Sequence, residues 1–575
     1  MSDVNQQLKG LAEDFAAKKI SRRQLWQGAA ALGLSGMWIA ALEKGALAGP
    51  APLHNQLKAA GQDKATTLII AVAENVDTFD PAWTVGSKTA QTALQNLFDQ
   101  LTQYEIVDAI APDGTAYQSV NTESIIGMIA ETWEYDPAET SVMVFKVRPG
   151  VTYANGNPIN ANTLVNSYKR VFDAGVSKFL LSMGGAIVDS TAFEARDEST
   201  FIIRMSKANT LTAKNNVMHN TSCIDPVEIA ANATAEDPFA LEYFKANLAT
   251  GNGPYKLESY KPDDSLVLVA NETYFGEQPA FTTVILKVVP DATQRVQLMT
   301  KGDVDTATKV PIKEYEALKA NADIKTLSIP TPLIVMLELN GLVAPFDNKA
   351  VRQAIAYATP YQDIIDQIYL GQAAAAKSLV PAGMPTSDFS FSAYELNYDK
   401  AKELLAAAGF PEGEGLPDIT LSIAGDDVQK ERIGILMQDS LKNIGIEIKI
   451  EKLAYAQFNE LQQGSKLQMW TDEWISWVND PFYHVSWLAQ SASPNNYPKL
   501  KSDEIDALIA EFTLSDDTAG REAASKRIQE IVVDESNYVF LCQPNWVFYS
   551  RQDLGGYVYY NDELPRYYHH FRATT

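Results

Sequence analysis

Cysteine is almost absent: Cys223 and Cys542 are the two in 575 residues. Two thiols cannot build a disulfide framework or a four-cysteine zinc site. They read as buried, inert side chains, with pairing between them left open. Histidine is scarce as well, with five residues and no His-Glu-x-x-His spacing. The adjacent His569-His570, inside the aromatic tail Arg566-Tyr567-Tyr568-His569-His570-Phe571, read as packing rather than metal ligation. No metal and no cofactor are expected. Positive charge is in deficit, with 47 Lys and Arg against 72 Asp and Glu, a net −25. That excludes the basic footprint of a nucleic-acid binder and predicts repulsion from anionic lipid surfaces. Internal repeats, heptad arrays and low-complexity tracts are missing, and 46% hydrophobic residues exclude a disordered or fibrous chain.

Catalytic signatures are missing too. No Gly-x-x-x-x-Gly-Lys-Ser/Thr loop is present to cradle a phosphate, and no Gly-x-Ser-x-Gly elbow. Gly251-Asn252-Gly253-Pro254-Tyr255 starts like a dinucleotide fingerprint, but it lacks the third glycine and places proline where a phosphate-binding helix would start. It reads as a turn. Carboxylates are abundant, and spacing alone leaves a facing Asp/Glu pair open, but nothing in the sequence favours one. The protein is expected not to be an enzyme; a secreted glycosidase or peptidase is the second functional class.

What is present begins with an address. Lys18-Lys19-Ile20-Ser21-Arg22-Arg23-Gln24-Leu25-Trp26 is basic around a twin arginine. An uncharged run from Gln24 to Leu42 and the small-x-small site Ala46-Leu47-Ala48 follow. Basic, apolar and cleavable regions in that order make a bacterial export signal, and Ser-Arg-Arg-x-Leu resembles the Tat type that carries folded cargo. The 19 uncharged residues approach the length of a membrane anchor, but the Ala-x-Ala site predicts cleavage after Ala48. Loss of residues 1–48 removes six basic and four acidic residues and leaves a mature chain at −27. The expected location is the periplasm.

Residues 49–65 read as a polar leader. Short apolar strands are predicted at Thr67–Ala73, Val142–Val147, Phe201–Met205, Leu266–Ala270, Val284–Val289, Leu333–Asn340 and Tyr538–Cys542, with an alternating strand at Ile446–Glu451. Helical spacing marks Gln91–Leu101, Val351–Ala358, Asp399–Ala408, Gln429–Ile444, Ser502–Phe512 and Thr518–Val533. Strands and helices alternate in both halves, which predicts an α/β architecture of two lobes.

An ordered series of motifs then resembles the bacterial extracellular solute-binding proteins of family 5, the peptide-binding type that serves ABC importers. Asp77-Thr78-Phe79-Asp80-Pro81 opens it. Ile129-Ala130-Glu131-Thr132-Trp133-Glu134 and Val144 to Val151 follow, then Gly251 to Leu257, Asn271 to Gly276 and Lys301 to Asp305. Pro345-Phe346-Asp347, Val351-Arg352-Gln353-Ala354-Ile355 and Trp474 through Asp480-Pro481 complete the series.

The resemblance implies a type II periplasmic binding fold of the large peptide-binding class, with two lobes hinged on crossing strands near Val335–Asn340 and Val539–Pro544. Lobe one is then 62–335 plus 539–575, and lobe two is 336–538. It further implies a monomer that captures a small solute, with an ABC permease and its cytoplasmic ATPases as partners. Most of the motifs are scaffold, including Pro149-Gly150, Arg352 and Asp480.

Relatives place an aspartate three residues after the first tryptophan of the Trp474–Pro481 segment, where it pairs with a peptide's ammonium. This chain has Trp477 there. A buried ammonium needs a carboxylate, so Asp472 or Glu473 would have to substitute. Alternatively, Trp474 and Trp477 would stack on a sugar, which keeps an oligosaccharide or glycoside as the alternative to a short peptide. Trp477 filling core volume is the structural alternative. The expected ligand-binding set is Trp474, Ser476, Trp477, Asn479, Trp83, Asn545 and Trp546, the aromatics facing the ligand and the polar groups orienting it.

Overall fold

The computed structural model describes residues 65–82, 87–175, 177–391, 394–425 and 427–573. The export signal, its cleavage point, the leader up to residue 64 and Trp83 lie outside them. Leu68–Thr575 form one compact unit.

Strand β1 (Thr67–Val72) is buried at every position, as an unbroken apolar run requires. Helix α1 (Lys88–Leu97) is capped by Ser87, whose hydroxyl accepts from the N–H groups of Thr89 and Ala90. Strands β2 (Thr102–Ile110) and β3 (Ala116–Gly127) make a long antiparallel hairpin. A separate four-stranded sheet contains β4 (Ala130–Asp136), β5 (Glu139–Val147), β6 (Phe193–Asp197) and β7 (Thr200–Arg204). It is packed by α2 (Ala161–Asp173), and α3 (Thr210–Asn215) follows. Strands β8 (Tyr255–Lys261), β9 (Ser265–Ala270) and β10 (Thr283–Val288) return to the main sheet, and β11 (Thr306–Ala307) pairs parallel with β1.

The chain then crosses through β12 (Ile324–Pro330) and β13 (Ile334–Leu339). A two-residue β14 (Ala373–Ala374) precedes β15 (Ile419–Ala424), α4 (Val428–Lys442), β16 (Ile448–Leu453), α5 (Tyr455–Gln463) and β17 (Met469–Trp474). Helices α6 (Pro481–Leu488) and α7 (Thr518–Glu535) lead into the 14-residue β18 (Tyr538–Arg551). The main sheet runs β16-β15-β17-β13-β18-β11-β1-β10-β9-β8. Its two halves meet on β18, which pairs with β13 through Tyr538–Cys542 and with β12 through Asn545–Arg551.

Each half has its own core. Leu68, Phe98, Leu268, Phe281 and Phe548 fill lobe one, with a second cluster around Phe145, Tyr168 and Phe201 beside the four-stranded sheet. Leu337, Ile355, Leu421 and Met437 fill one side of lobe two, and Met336, Phe482, Ile528 and Phe540 the other. Each such side chain contributes roughly 1.5–3 kcal/mol of burial. Arg352 holds the lobe-two scaffold, donating to the Phe346 and Glu535 carbonyls and to the Glu535 carboxylate.

The two Asp-Pro steps are built alike, one in each lobe. Asp80 accepts from the Ala82 N–H and pairs through both oxygens with Arg170 at 3.0 and 2.5 Å. Asp480 caps α6 by accepting from the Phe482 N–H and pairs with Arg521 at 2.8 Å to both oxygens. Both cysteines are free and buried.

Candidate ligand-binding site

The loop at Gly251-Asn252-Gly253-Pro254 is a clamp on the end of α1. The Gly253 N–H donates to the Leu97 carbonyl, and the Asn252 side-chain oxygen accepts from the Asp99 N–H. A Cβ at Gly251 would lie 1.9 Å from the Leu97 oxygen, and one at Gly253 would lie 2.7 Å from the Leu97 carbonyl carbon, so close approach requires glycine at both. The clamp fixes Asp99 and Gln100 just beyond the helix.

A cavity of about 30 Å³ lies there. Its walls come from α1 and the following turn (Gln95, Asp99, Gln100), β2 (Gln103, Tyr104), Met128, Val217–His219 after α3, and the C-terminal segment Tyr560–Asp562 with Arg566 and Tyr568. Trp477, from the loop after β17, closes it from lobe two, with its ring 5.8 Å from that of His219. The Asp562–Arg566 pair is bidentate at 2.8 and 2.9 Å, and the Arg566 guanidinium lies 3.9 Å above the Tyr560 ring. Burial opposes the charge on Asp562, but Arg566 outweighs it and holds the carboxyl below its usual range.

Several polar atoms in these walls have no hydrogen-bond partner: Gln95 Nε2, both oxygens of Asp99, the Tyr104 hydroxyl and His219 Nε2. Their residues are 3%, 1%, 7% and 2% exposed, so water does not serve them freely. Burial pushes Asp99 up to about 7 and His219 down to about 4. Unmet buried polar atoms are costly, and a ligand that reached these would supply the missing partners.

The expected residues divide clearly. Trp477 lines the cavity. Trp474 lies 6.2 Å from Tyr483 and 6.4 Å from Trp487, and it packs with Trp477 on the apolar cluster between the lobes. The Ser476 hydroxyl donates to the Val478 carbonyl and sets the loop. Asn479 joins the lobes: its amide donates to the Thr122 hydroxyl at 2.8 Å and to Glu123. Asn545 is bound to the Gln372 carbonyl and the Ser328 hydroxyl in the crossing strands, and Trp546 packs on the lobe-one core. Asp472 accepts from Gln462 within lobe two, while Glu473 is exposed and 3.9 Å from Lys430. The aromatic tail does pack, through Tyr567 and His570, but Arg566 and Tyr568 reach the cavity.

Gln95, Asp99, Tyr104 and His219 were not singled out by the sequence. One signal was there: Gln91, Gln95 and Asp99 lie four apart, and α1 is buried from Thr89 to Leu97. The polar stripe of this helix therefore faces inward.

Closure around the cavity is apolar. Val478, Tyr483 and Trp487 of lobe two pack with Leu180, Leu211 and Met218 of lobe one, and Phe179 meets Trp487 edge-on at 4.7 Å. Among the described residues, no His, Cys, Asp and Glu cluster could hold a metal, and no helix is long and apolar enough to cross a membrane.

Two α/β lobes sharing crossing strands around a cleft define a type II binding protein. The family model "Bacterial extracellular solute-binding proteins, family 5 Middle" matches residues 124–496, and the chain belongs to that family. The probable D,D-dipeptide-binding periplasmic protein DdpA of Escherichia coli K12 is 25% identical over 86% of this chain and 91% of its own length. Heme-binding protein A of Haemophilus influenzae is 23% identical over 82% and 86%. The solved structure of the Helicobacter pylori ABC transporter-associated periplasmic binding protein DppA, in complex with peptide STSA, aligns at TM-score 0.76. It is 24% identical and covers 88% of this chain and 98% of that one.

Proposed function

We propose that the mature chain is the periplasmic capture subunit of an ABC importer, exported by the Tat route, cleaved after Ala48 and acting without catalysis as a monomer. It closes two lobes over a short peptide or peptide-like solute and presents it to a permease. The observation that carries this reading is the set of unpartnered polar atoms around a cavity between the lobes, walled by Trp477. Peptide amides offer alternating donors and acceptors that would satisfy Gln95, Tyr104 and His219. None of the relatives named above is named for a carbohydrate, and Trp474 is engaged with Tyr483 and Trp487, which favours the peptide reading.

At about 30 Å³ the cavity is too small for a dipeptide, so capture requires the lobes to part and reclose around it. Capture is then a hinge equilibrium shifted by ligand affinity for the closed form. Thermal shifts of Gly49–Thr575 with pools of di- and tripeptides and of oligosaccharides test the reading. A ligand at one hundred times its Kd adds about 2.7 kcal/mol. Stabilisation by peptides is expected; stabilisation by sugars alone would overturn the peptide assignment.

A further inference from the structure

Among the cavity walls, one charged group stands without a counterion. Arg566 is committed to Asp562 and to the Leu564 carbonyl. Asp99 has neither: both oxygens are unpartnered, and the residue is 1% exposed. The Tyr274 hydroxyl is near enough to favour its charge but forms no hydrogen bond of ordinary geometry with it. The Asp99 N–H donates to the Asn252 side-chain oxygen and the Gly253 N–H to the Leu97 carbonyl, which sets the backbone from which the carboxylate projects. A buried carboxylate without a counterion lowers stability, and a cationic ligand group would relieve that cost.

We propose that Asp99, on lobe one, receives a primary ammonium group of the captured solute, the task for which the Trp474–Pro481 segment of lobe two carries no carboxylate at Trp477. The inference rests on the capture reading above. An ammonium brings three donors and one positive charge, matching the two free carboxylate oxygens. Gln95 Nε2, the Tyr104 hydroxyl and His219 Nε2 line the same cavity and are free to bind the carbonyl and amide that follow an N-terminal amine. Burial leaves Asp99 partly protonated near neutrality, and an arriving ammonium favours its ionised form. The ammonium can come from a peptide N-terminus or from an amine such as spermidine, and the probes separate these sources.

The test is calorimetry on Gly49–Thr575 and its Asp99→Asn variant, with a tripeptide pool, the same pool N-acetylated, and spermidine. Wild type is expected to bind the free-amine peptides and to bind the acetylated pool at least about 30-fold more weakly. Asp99→Asn is expected to lose about 30-fold or more in affinity for the amine probe while its affinity for the acetylated pool stays unchanged. Its melting temperature without ligand should equal or exceed that of wild type. Equal affinity of variant and wild type for the amine probe overturns the proposal. Equal binding of free and acetylated peptides by wild type overturns it too, but leaves the peptide reading standing. Binding of spermidine with silence toward all peptides refutes the peptide reading instead, and the Asp99→Asn comparison with spermidine then decides Asp99. Silence toward every amine probe overturns the proposal. If the variant does not fold, a crystal structure of the wild-type complex decides: an ammonium nitrogen at hydrogen-bond distance from an Asp99 oxygen supports the assignment, and one paired elsewhere overturns it.

Discussion

Lys214 Nζ, on α3 of lobe one, donates to the backbone carbonyl of Asn479 in lobe two at 2.8 Å while held by Glu123 at 3.0 Å. With the Asn479 amide on Thr122, this makes a small polar latch across the closed cleft. The latch exists only when the lobes are together, so it acts on the closing equilibrium rather than on either lobe's folding. Hydrogen bonds to charged groups are worth about 1.5–3 kcal/mol. Lys214→Met should therefore weaken ligand affinity by about 10–100-fold, chiefly through faster release. The unliganded melting temperature should hardly move. Stopped-flow release rates alongside thermal melts would check this; an unchanged release rate would remove the latch from the closing mechanism.

Trp477 is half-buried, lines the cavity, meets His219 and packs on the apolar cluster shared by the two lobes. Trp477→Ala should cost about 1–3 kcal/mol of ligand affinity with a small effect on the unliganded fold. The opposite pattern, a lower melting temperature with intact affinity, would make the ring a packing element of the closed interface.

The pair Asp80–Arg170 is fully buried, at 0% and 3% side-chain exposure. Removing one partner strands the other charge. Arg170→Met is expected to destabilise the protein by about 3–5 kcal/mol. Urea unfolding would show it, and a loss below 1 kcal/mol would mean that water reaches Asp80 after the substitution.

Two cavity groups should give stability–pH effects of opposite sign. Burial lowers His219 from 6.5 to about 4, so between those values the unfolded chain binds a proton that the folded chain does not. Wild type should lose stability relative to His219→Gln as pH falls from 6.5 to 4. Burial raises Asp99 from 3.8 to about 7, so there the folded chain holds the extra proton. Wild type should lose stability relative to Asp99→Asn as pH rises from 4 to 7. Each difference should reach a few kcal/mol across its window. Melting curves at pH 4, 5.5 and 7 for the three proteins decide both; parallel curves would mean that the cavity is freely hydrated.

Burial pushes the thiols of Cys223 and Cys542 up, and Cys223 is further engaged with the Tyr153 hydroxyl at 2.8 Å and the Ser167 hydroxyl at 3.1 Å. Neither should react with an aromatic disulfide reagent in the native state, and both should react in denaturant. One fast native thiol would place Cys542, on β18 between the lobes, at a hinge that opens to solvent.

Much of the fold was legible because its strands are either buried, nearly unbroken apolar runs, like β1 and β13, or alternate, like β16. The long hairpin β2–β3 was not, because its residues are largely polar and half-exposed and carry no clean period. Helix α6, Pro481–Leu488, was missed for the opposite reason: all eight residues are buried, so no amphipathic stripe remains to read. At the site, Trp477 stood out through a family motif, and Asp480, expected to be scaffold, caps α6. Asp99 and His219 are single polar letters whose importance lies in what they fail to bond, and only tertiary structure reveals a missing partner.

Strand β18 supplies the closing edge of one half with its first residues and of the other half with its last. A ribosome must therefore reach the final stretch of the message before either lobe can finish its sheet. Until then the nascent chain presents two open edges, the kind of surface that chaperones attend. A premature stop late in the gene should be as damaging to the amino-terminal lobe as to its neighbour, and quality control of this protein rests at its carboxyl end.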